Sequence, residues 1–234
     1  MSKVAVFTIS SNNYVAFSKT LLQSVAQQHP EIDLFYFVAD KFSDGVDYDF
    51  GTPVNTALVE DVLGDSAIKM AFAYNLIEFN TAVKPFLISY LFSLGYEKVL
   101  YIDPDILLCS RLDYALEKLD SHSVVVTPHQ LAPESNLESE RPNPRWELAA
   151  LFTGTFNLGF VGVSNSGEGQ SFVDWWGDRC GYYCTIEPES GLFVDQKWVD
   201  LAPCFFPGVH IIRHVGYNMS VWNLHDRELL GKRV

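Results

Sequence analysis

Short apolar runs alternate with amphipathic segments along the first half of the chain. Lys3 to Ile9, Leu34 to Ala39 and Val99 to Ile102 are continuous or nearly continuous apolar stretches of strand length. Such runs are typical of strands that are buried on both faces of a sheet. Val15 to Val25 and Thr81 to Leu94 instead carry apolar residues at helical spacing. Alternating strands and helices predict an α/β protein, in which ligands bind at the carboxyl ends of the strands.

Further signals of the same kind occur elsewhere in the chain. Val124 to Thr127, Thr155 to Val163 and Val209 to Arg213 predict additional strands. Ser66 to Ile77 predicts a helix, and Asn80 is a candidate N-terminal cap for the helix that follows it. Strands and helices therefore alternate over most of the sequence.

The composition is that of an acidic globular domain. The 234 residues include 29 Asp and Glu against 16 Lys and Arg, and the formal net charge is -13. A chain of this length can build one large core, so we expect a single domain over residues 1–234. Its negative field would repel nucleic acid and anionic membrane surfaces, so neither is an expected partner.

Localisation signals and cysteine spacing both favour the cytoplasm. The N-terminal MSKVAVFTIS has too short an apolar run for a signal peptide, and no stretch approaches the ~20 apolar residues of a membrane span. The four cysteines lack C-x-x-C spacing, which favours reduced thiols over a zinc site. We therefore expect a cytoplasmic protein with no membrane span in this segment.

Two carboxylates follow the apolar run VLYI. Asp103 and Asp105 lie on either side of Pro104, which restricts its own backbone and that of the preceding residue. The pair is therefore expected on a stiff turn at the carboxyl end of a buried strand. Two carboxylates one residue apart suit a hard divalent cation, which completes its shell with water and phosphate oxygens. Asp and Pro are also common turn residues, so the alternative is that the tripeptide only ends a strand.

The pattern h-h-Y-h-D-x-D, in which h is apolar, resembles the DxD motif of GT-A fold glycosyltransferases. The likeness is greatest to family 8, which includes glycogenin and the lipopolysaccharide galactosyltransferases. Asn157 and Gly159 stand in a strand that resembles the family's F-N-x-G strand, and Asp195-Gln196 resembles its late D-Q pair. The stretch from His214 to Arg227 resembles bacterial polysaccharide glycosyltransferases. Together these segments cover nearly the whole chain.

The resemblance implies both a fold and a reaction. The fold is the Rossmann-like GT-A fold, with a mixed, mainly parallel central sheet flanked by helices. The reaction is metal-dependent transfer of a sugar from a nucleotide-diphosphate donor, a UDP-sugar, to a glycan or lipid-linked saccharide acceptor in bacterial surface polysaccharide synthesis. Mn²⁺ or Mg²⁺ is the implied cofactor. Retention of configuration is favoured, as in family 8; if the enzyme inverts instead, Asp195 is the candidate base.

The resemblance also implies roles for individual side chains. Asp105 is expected to bind the metal directly, and Asp103 to bind both the metal and the ribose. Lys84 is expected to help neutralise the diphosphate, although a solvated surface lysine is the alternative. Asn157 is expected near the donor sugar, although a bulge needed only for folding is the alternative. The remaining expected contacts are Thr8, Asn13 and Tyr14 with the nucleoside and Asp195 and Gln196 with the reacting carbon.

One expected feature is missing. GT-A enzymes usually complete the metal shell with a histidine near the C-terminus, in an H-F-S-G or H-x-x-G-x-x-K segment, and this chain has neither segment. Three explanations are open: the domain is shortened at its C-terminus, His214 or His225 substitutes as a metal ligand, or the metal site is incomplete. Our hypothesis is the first, an N-terminal catalytic portion.

Two other functions compete with the transferase. A non-catalytic module that binds a nucleotide sugar or glycan would keep the fold without turnover. A sugar-nucleotide pyrophosphorylase would share the nucleotide-binding half and the cation. That class opens with a G-x-G-x-R-type loop, and Ser10 to Tyr14 contains neither glycine nor arginine.

Overall fold

The protein is described here by a computed structural model that covers residues 2–134, 144–224 and Arg227. Its strands are β1 (Val4–Ser10), β2 (Asp33–Val38), β3 (Asn55–Leu58), β4 (Lys98–Ile102), β5 (Val124–Pro128), β6 (Phe156–Ser164), β7 (Ile186–Glu187), β8 (Leu192–Phe193) and β9 (Val209–Ile211). Its helices are α1 (Val15–Gln28), α2 (Val59–Leu63), α3 (Asp65–Ala73), α4 (Leu76–Ala82), α5 (Lys84–Ser93), α6 (Asp113–Lys118), α7 (Arg145–Thr153), α8 (Gly167–Tyr183), α9 (Val194–Val199) and α10 (Ala202–Phe205). Short 3₁₀ turns span Asn12–Tyr14 and Pro188–Ser190.

A central sheet organises the molecule. Within the described residues it has seven strands in the order β3-β2-β1-β4-β6-β5-β9, and β7 and β8 form a separate two-stranded hairpin. The pairs β1–β2, β1–β4, β2–β3 and β5–β9 are parallel, whereas β6 runs antiparallel to both β4 and β5. This confirms the predicted α/β fold with a mixed, mainly parallel sheet.

Apolar side chains cover both faces of the sheet, as the continuous apolar strands predict. On one face Phe7 and Val99 pack with α5 and α8, whose largest buried side chain is Trp176. On the other face Val6 and Leu100 pack with α1 and α6. Because successive residues of a strand point to opposite faces, a strand covered on both sides has to be apolar throughout. The described part of the chain contains no helix that is both long and apolar enough to cross a bilayer.

The reversed direction of β6 brings distant residues to one edge of the sheet. Ile102, the last residue of β4, pairs with Phe160, so the start of β6 lies beside the turn that follows β4. The β5–β6 register shifts between Val126 and Thr127, and Thr127 pairs with Asn157. Residues 158–160 of β6 therefore bulge away from β5. Bulges often re-aim side chains next to a functional site.

The helix boundary between α3 and α4 corrects the prediction from sequence. The helix predicted over Ser66 to Ile77 ends at Ala73, and the predicted cap Asn80 lies inside α4. The true cap is Asn75, whose Oδ1 accepts hydrogen bonds from the amides of Ile77 and Glu78, at 2.9 and 3.1 Å. Glu78 Oε2 in turn accepts a hydrogen bond from the Asn75 amide, at 2.9 Å. The N-x-x-E spacing of Asn75 and Glu78 is the sequence signal of this reciprocal capping box.

Replacing the true cap tests this assignment. Asn75→Ala removes both bonds to the first turn of α4, so we expect the free energy of unfolding to fall by about 1 kcal/mol. Asn80→Ala is the matched control, because alanine has the higher helix propensity inside a helix and the stability should not fall. Urea denaturation measures both variants. A larger loss for Asn80→Ala than for Asn75→Ala would contradict the capping assignment.

Candidate active site

The two carboxylates predicted from the sequence lie on a tight turn at the sheet edge. Asp103 follows the last residue of β4, and its backbone amide donates a hydrogen bond to the carbonyl oxygen of Gly159, at 2.7 Å. The amide of Ile106 donates to the carbonyl oxygen of Asp103, at 3.1 Å, and closes the turn. Asp103 is half-buried and Asp105 is more exposed. Burial, and then the charge of Asp103, raises the pKa of the Asp105 carboxyl.

A second D-x-D tripeptide shows why position matters. Asp47 and Asp49 flank Tyr48 in the loop between β2 and β3. Asp47 pairs with Lys19 at 2.6 Å and accepts the amide of Asp49, and Asp49 caps the amide of Gly51. These carboxylates are already used by local partners and line neither of the cavities described next.

The smaller of two cavities at the sheet edge lies between the β1–α1 loop and α4. Its volume is about 270 Å³, and Asn13 and Tyr14 line it together with Asp103 and Asp105. Two further lining residues were not predicted from sequence: Ser11 and Asn80. The buried hydroxyl of Ser11 and the buried Oδ1 of Asn80 have no hydrogen-bond partner among the described residues. Polar atoms left unpaired in a cavity wall suit a polar ligand.

Thr8 stands apart from this group. Its side chain is fully buried within β1 and is not part of the cavity lining. The geometry therefore does not favour direct contact between Thr8 and a nucleoside. Ser11, three residues further along the same segment, reaches the lining instead.

The larger cavity lies on the other side of the same carboxylates. Its volume is about 440 Å³, and Asp103 and Asp105 again form part of its wall. The opposite walls come from the loop after the DxD turn and from the segment after β9. Their residues include Ile106–Leu112, Asn157, Phe160, Gly216–Ser220 and Trp222. The DxD turn is thus a shared partition between two cavities.

Lys84 and Asp195 form a buried ion pair beneath the partition. Lys84 Nζ lies 2.9 Å from Asp195 Oδ2, and the two residues are 2% and 1% exposed. Lys84 also donates to the carbonyl oxygen of Leu158, at 3.1 Å, and lies 4.4 Å from the ring centroid of Tyr101. The alternative of a solvated surface lysine is therefore wrong. The sequence could not show this, because α5 and the start of α9 meet only in the fold.

The electrostatics of this pair follow from its burial. Burial lowers the pKa of the Lys84 ammonium, but the carboxylates of Asp195 and then Asp103 more than offset this, so the pKa is raised and the group stays charged. Burial also raises the pKa of the Asp195 carboxyl, and Lys84 opposes that effect. The indole of Trp176 donates to the backbone carbonyl of Asp195, at 3.3 Å, and holds the start of α9 in place.

Asn157 and Gln196 have different environments. Asn157 lines the larger cavity, and its Oδ1 accepts the amide of Gly159 at 2.9 Å. These contacts fit both alternatives for Asn157, a position near the donor sugar and a bulge needed for folding. Gln196 donates to the carbonyl oxygen of Thr153, at 2.8 Å, and lines neither cavity. The Gln196 side chain is therefore hydrogen-bonded to the last residue of α7.

The structure places His214 against two tyrosines. It is exposed, its Nδ1 accepts the amide of Gly216 at 3.1 Å, and its ring packs against Tyr114 and Tyr217 at centroid distances of 5.5 and 5.7 Å. His214 lines neither cavity. Across residues 2–134 and 144–224, no three His, Cys, Asp or Glu side chains converge as a metal group. His225 lies outside the described residues, and all four cysteines carry free thiols.

Tyr101 and Gly159 have structural roles next to Asp103. Tyr101 precedes Asp103 by two residues in an extended segment, so both side chains point to the same face. Its hydroxyl donates to Asp103 Oδ1 at 2.5 Å. Gly159 leaves room for the site, because a Cβ there would lie 2.7 Å from both Asn157 Oδ1 and Asp103 Oδ2. A glycine within a strand is a recognised sign of such close approach.

Comparisons with known proteins were made for both sequence and structure. No family model matches the sequence. The uncharacterised protein YfnD of Bacillus subtilis strain 168 is 36% identical over 92 residues, which are 38% of this chain and 30% of that protein. The chain therefore matches less than a third of that relative's length.

Several solved glycosyltransferases share the fold. The galactosyltransferase LgtC, in complex with donor and acceptor sugar analogues, aligns with a TM-score of 0.52 at 16% identity, over 91% of this chain and 80% of that one. The core-mannan synthase A of Aspergillus fumigatus, in an Mn/GDP form, aligns at 0.54 and 10% identity, over 92% and 75%. GlyE of Streptococcus pneumoniae TIGR4 aligns at 0.55 and 15% identity, over 93% and 47%. The chain has the GT-A glycosyltransferase fold, which confirms the fold that the resemblance implied.

The buried ion pair generates a stability prediction. Lys84→Met leaves the Asp195 carboxylate buried without its counter-charge, so we expect a loss of about 3–5 kcal/mol in the free energy of unfolding. Adding Asp195→Leu removes the stranded charge and should restore most of that loss. Lys19→Met, which breaks the exposed pair with Asp47, should change the stability little. Urea unfolding of the single and double variants measures the coupling; additive losses would argue against a buried pair.

The close approach at Gly159 generates a second prediction. Gly159→Ala places a methyl group against Asp103 and Asn157, so the Asp103 carboxylate has to move. If Asp103 binds Mn²⁺, as in the function proposed below, the Mn²⁺ affinity should fall about tenfold or more. Gly167→Ala is the control, because a Cβ at Gly167 meets no atom within 4 Å. Calorimetric titration with Mn²⁺ compares the two variants, and equal affinities would remove Gly159 from the site.

Proposed function

We propose that this chain is a metal-dependent glycosyltransferase that moves a sugar from a nucleotide-diphosphate donor, a UDP-sugar, to a glycan acceptor. The observation that carries the proposal is the position of Asp103 and Asp105. They form the partition between two cavities at the carboxyl edge of the sheet, where ligands bind in α/β folds. The fold shared with solved glycosyltransferases supports the reaction class.

The carboxylate pair fits a divalent cation. The charge of Asp103 contributes to raising the pKa of Asp105, so the two groups repel each other and a cation would relieve this. Mg²⁺ and Mn²⁺ commonly bind one or two carboxylates and take their other ligands from water and substrate phosphates. Asp103 and Asp105 would hold the ion. When bound, the ion supplies Lewis-acid stabilisation of the departing diphosphate.

The smaller cavity is the proposed nucleoside site. Asn13 and Tyr14 line its mouth, and the unpaired polar atoms of Ser11 and Asn80 offer hydrogen bonds to ribose hydroxyls or to the base. Its wall at Asp103 and Asp105 would then place the diphosphate next to the carboxylates. The donor sugar would extend past this wall toward Asn157.

The buried pair favours retention over inversion. An inverting enzyme needs a carboxylate that can reach the acceptor hydroxyl, and Asp195 is 1% exposed and held by Lys84. A retaining enzyme needs no such base, because an oxygen of the departing phosphate can take the proton. In this scheme Lys84 holds a positive charge beneath Asp103, and Asp195 fixes its position. The acceptor is a glycan or lipid-linked saccharide, in a cytoplasmic step of polysaccharide synthesis.

A binding and turnover experiment tests the proposal. With Mn²⁺ and a UDP-sugar at about 100 times its Kd, ligand binding should add about 2.7 kcal/mol and raise Tm by roughly 5–10 °C. Asp103→Asn with Asp105→Asn should abolish the Mn²⁺-dependent part of the shift. Asp47→Asn with Asp49→Asn alters the other D-x-D tripeptide and should leave the shift intact.

The same samples separate the competing functions. Release of UDP from any member of a UDP-sugar panel in the presence of Mn²⁺ would support the transferase. A shift in Tm without turnover would instead support a non-catalytic binding module. If neither UDP-sugars nor other nucleotide sugars raise Tm, the proposed function fails.

A further inference from the structure

We propose that Tyr101 is a positioning residue that holds Asp103 in the orientation needed for cation binding. The inference rests on the proposed function, because it assumes that Asp103 is a metal ligand. Tyr101 is 2% exposed; it lines the smaller cavity together with Asp103 and Asp105 and is not among the residues that line the larger one. It acts through its hydroxyl, which donates to Asp103 Oδ1 at 2.5 Å.

The direction of this hydrogen bond follows from the chemistry of the two groups. A tyrosine hydroxyl carries a proton at neutral pH, and an ionised carboxylate can only accept. Hydrogen bonds to ionised groups are shorter and stronger than those between neutral groups. The Tyr101 hydroxyl therefore occupies one oxygen of Asp103 and leaves Oδ2 available to a cation.

Asp103 is held from a second side as well. Its backbone amide is bound to the carbonyl oxygen of Gly159, and its Oδ2 lies where a Cβ of Gly159 would be only 2.7 Å away. The bulged strand thus limits how far the carboxylate can move towards β6. The Tyr101 hydroxyl fixes the rotation of the carboxylate group. A ligand with one oxygen already bound and its backbone fixed loses little freedom when a metal arrives.

The Tyr101 ring is itself fixed in place. It packs against Phe7 at a centroid distance of 5.2 Å, and the Lys84 ammonium lies 4.4 Å from its centroid. Lys84 is held in turn by Asp195 and by the carbonyl oxygen of Leu158. One aromatic ring therefore links the buried ion pair to the metal carboxylate. Contacts of this kind keep Tyr101 in a single rotamer.

The chain contains a matched pair for comparison. Tyr96, which is 5% exposed, donates its hydroxyl to Asp33 Oδ2 at 2.8 Å. Asp33 is the first residue of β2 and Tyr96 precedes β4, so this pair lies at the amino edge of the sheet. Neither residue lines either cavity at the carboxyl edge. Tyr96→Phe therefore removes a similar bond from the same protein without touching the site.

The test compares Tyr101→Phe with Tyr96→Phe. Both changes delete a hydroxyl and keep the ring, so folding and Tm should be similar in the two variants. For Tyr101→Phe we expect the Kd of Mn²⁺ to rise about 10- to 100-fold, as measured by calorimetry or by electron paramagnetic resonance of free Mn²⁺. In turnover assays the KM for Mn²⁺ should rise while kcat at saturating Mn²⁺ changes less. Tyr96→Phe should leave the Kd unchanged.

A double variant shows whether Tyr101 acts through Asp103. In an Asp103→Asn background, Tyr101→Phe should cause no further loss of the residual Mn²⁺ affinity, because the carboxylate that it orients is gone. A further loss of the same size would overturn the inference, and would assign Tyr101 a general packing role. This measurement stays informative even if Tyr101→Phe lowers Tm.

The outcomes separate this inference from the proposed function. If the unmodified protein binds no Mn²⁺, the metal-dependent function fails and this inference fails with it. If the unmodified protein binds Mn²⁺ and Tyr101→Phe binds it equally well, only the inference is overturned. Equal losses in Tyr101→Phe and Tyr96→Phe would also overturn it.

Discussion

The 2.7 Å hydrogen bond from the Asp103 amide to the Gly159 carbonyl is the contact on which the site depends. It joins the exit of β4 to the bulged part of β6, two segments that meet because β6 runs against its neighbours. Glycine is required at this contact, since any side chain would occupy the space of the Asp103 carboxylate. The sheet topology therefore determines where the turn with Asp103 and Asp105 can lie. The absence of a Cβ at Gly159 determines how closely this turn can pack against β6.

Near that contact, Lys84 and Asp195 place two opposite charges in the protein interior, where most folds have apolar side chains. A buried ion pair seldom adds net stability, because desolvation costs about as much as the attraction returns. Lys84 and Asp195 instead determine geometry: they connect α5, α9, the bulge at Leu158 and the ring of Tyr101. A pair of this kind suits a site in which several elements have to keep one relative position.

Much of this arrangement could be predicted from the sequence, and the rest depends on contacts that no local pattern encodes. The buried strands and the position of Asp103 follow from apolar runs that end in polar residues. The prediction for Asn157 rests on asparagine and glycine being unusual inside a strand, and in the structure Asn157 lines the larger cavity. The burial of Lys84 was missed because its partner belongs to a helix far along the chain. The cap at Asn75 was missed although its signal, a glutamate three residues later, was local.

The shared partition has an electrostatic consequence for whatever occupies either side. The two carboxylates of this shared wall project a negative potential into both cavities at once, so they disfavour anions on either face. One divalent ion bound to that wall would offset the two carboxylate charges on both sides of it. A charged ligand in one cavity would then change the electrostatic potential in the other without any movement of the backbone.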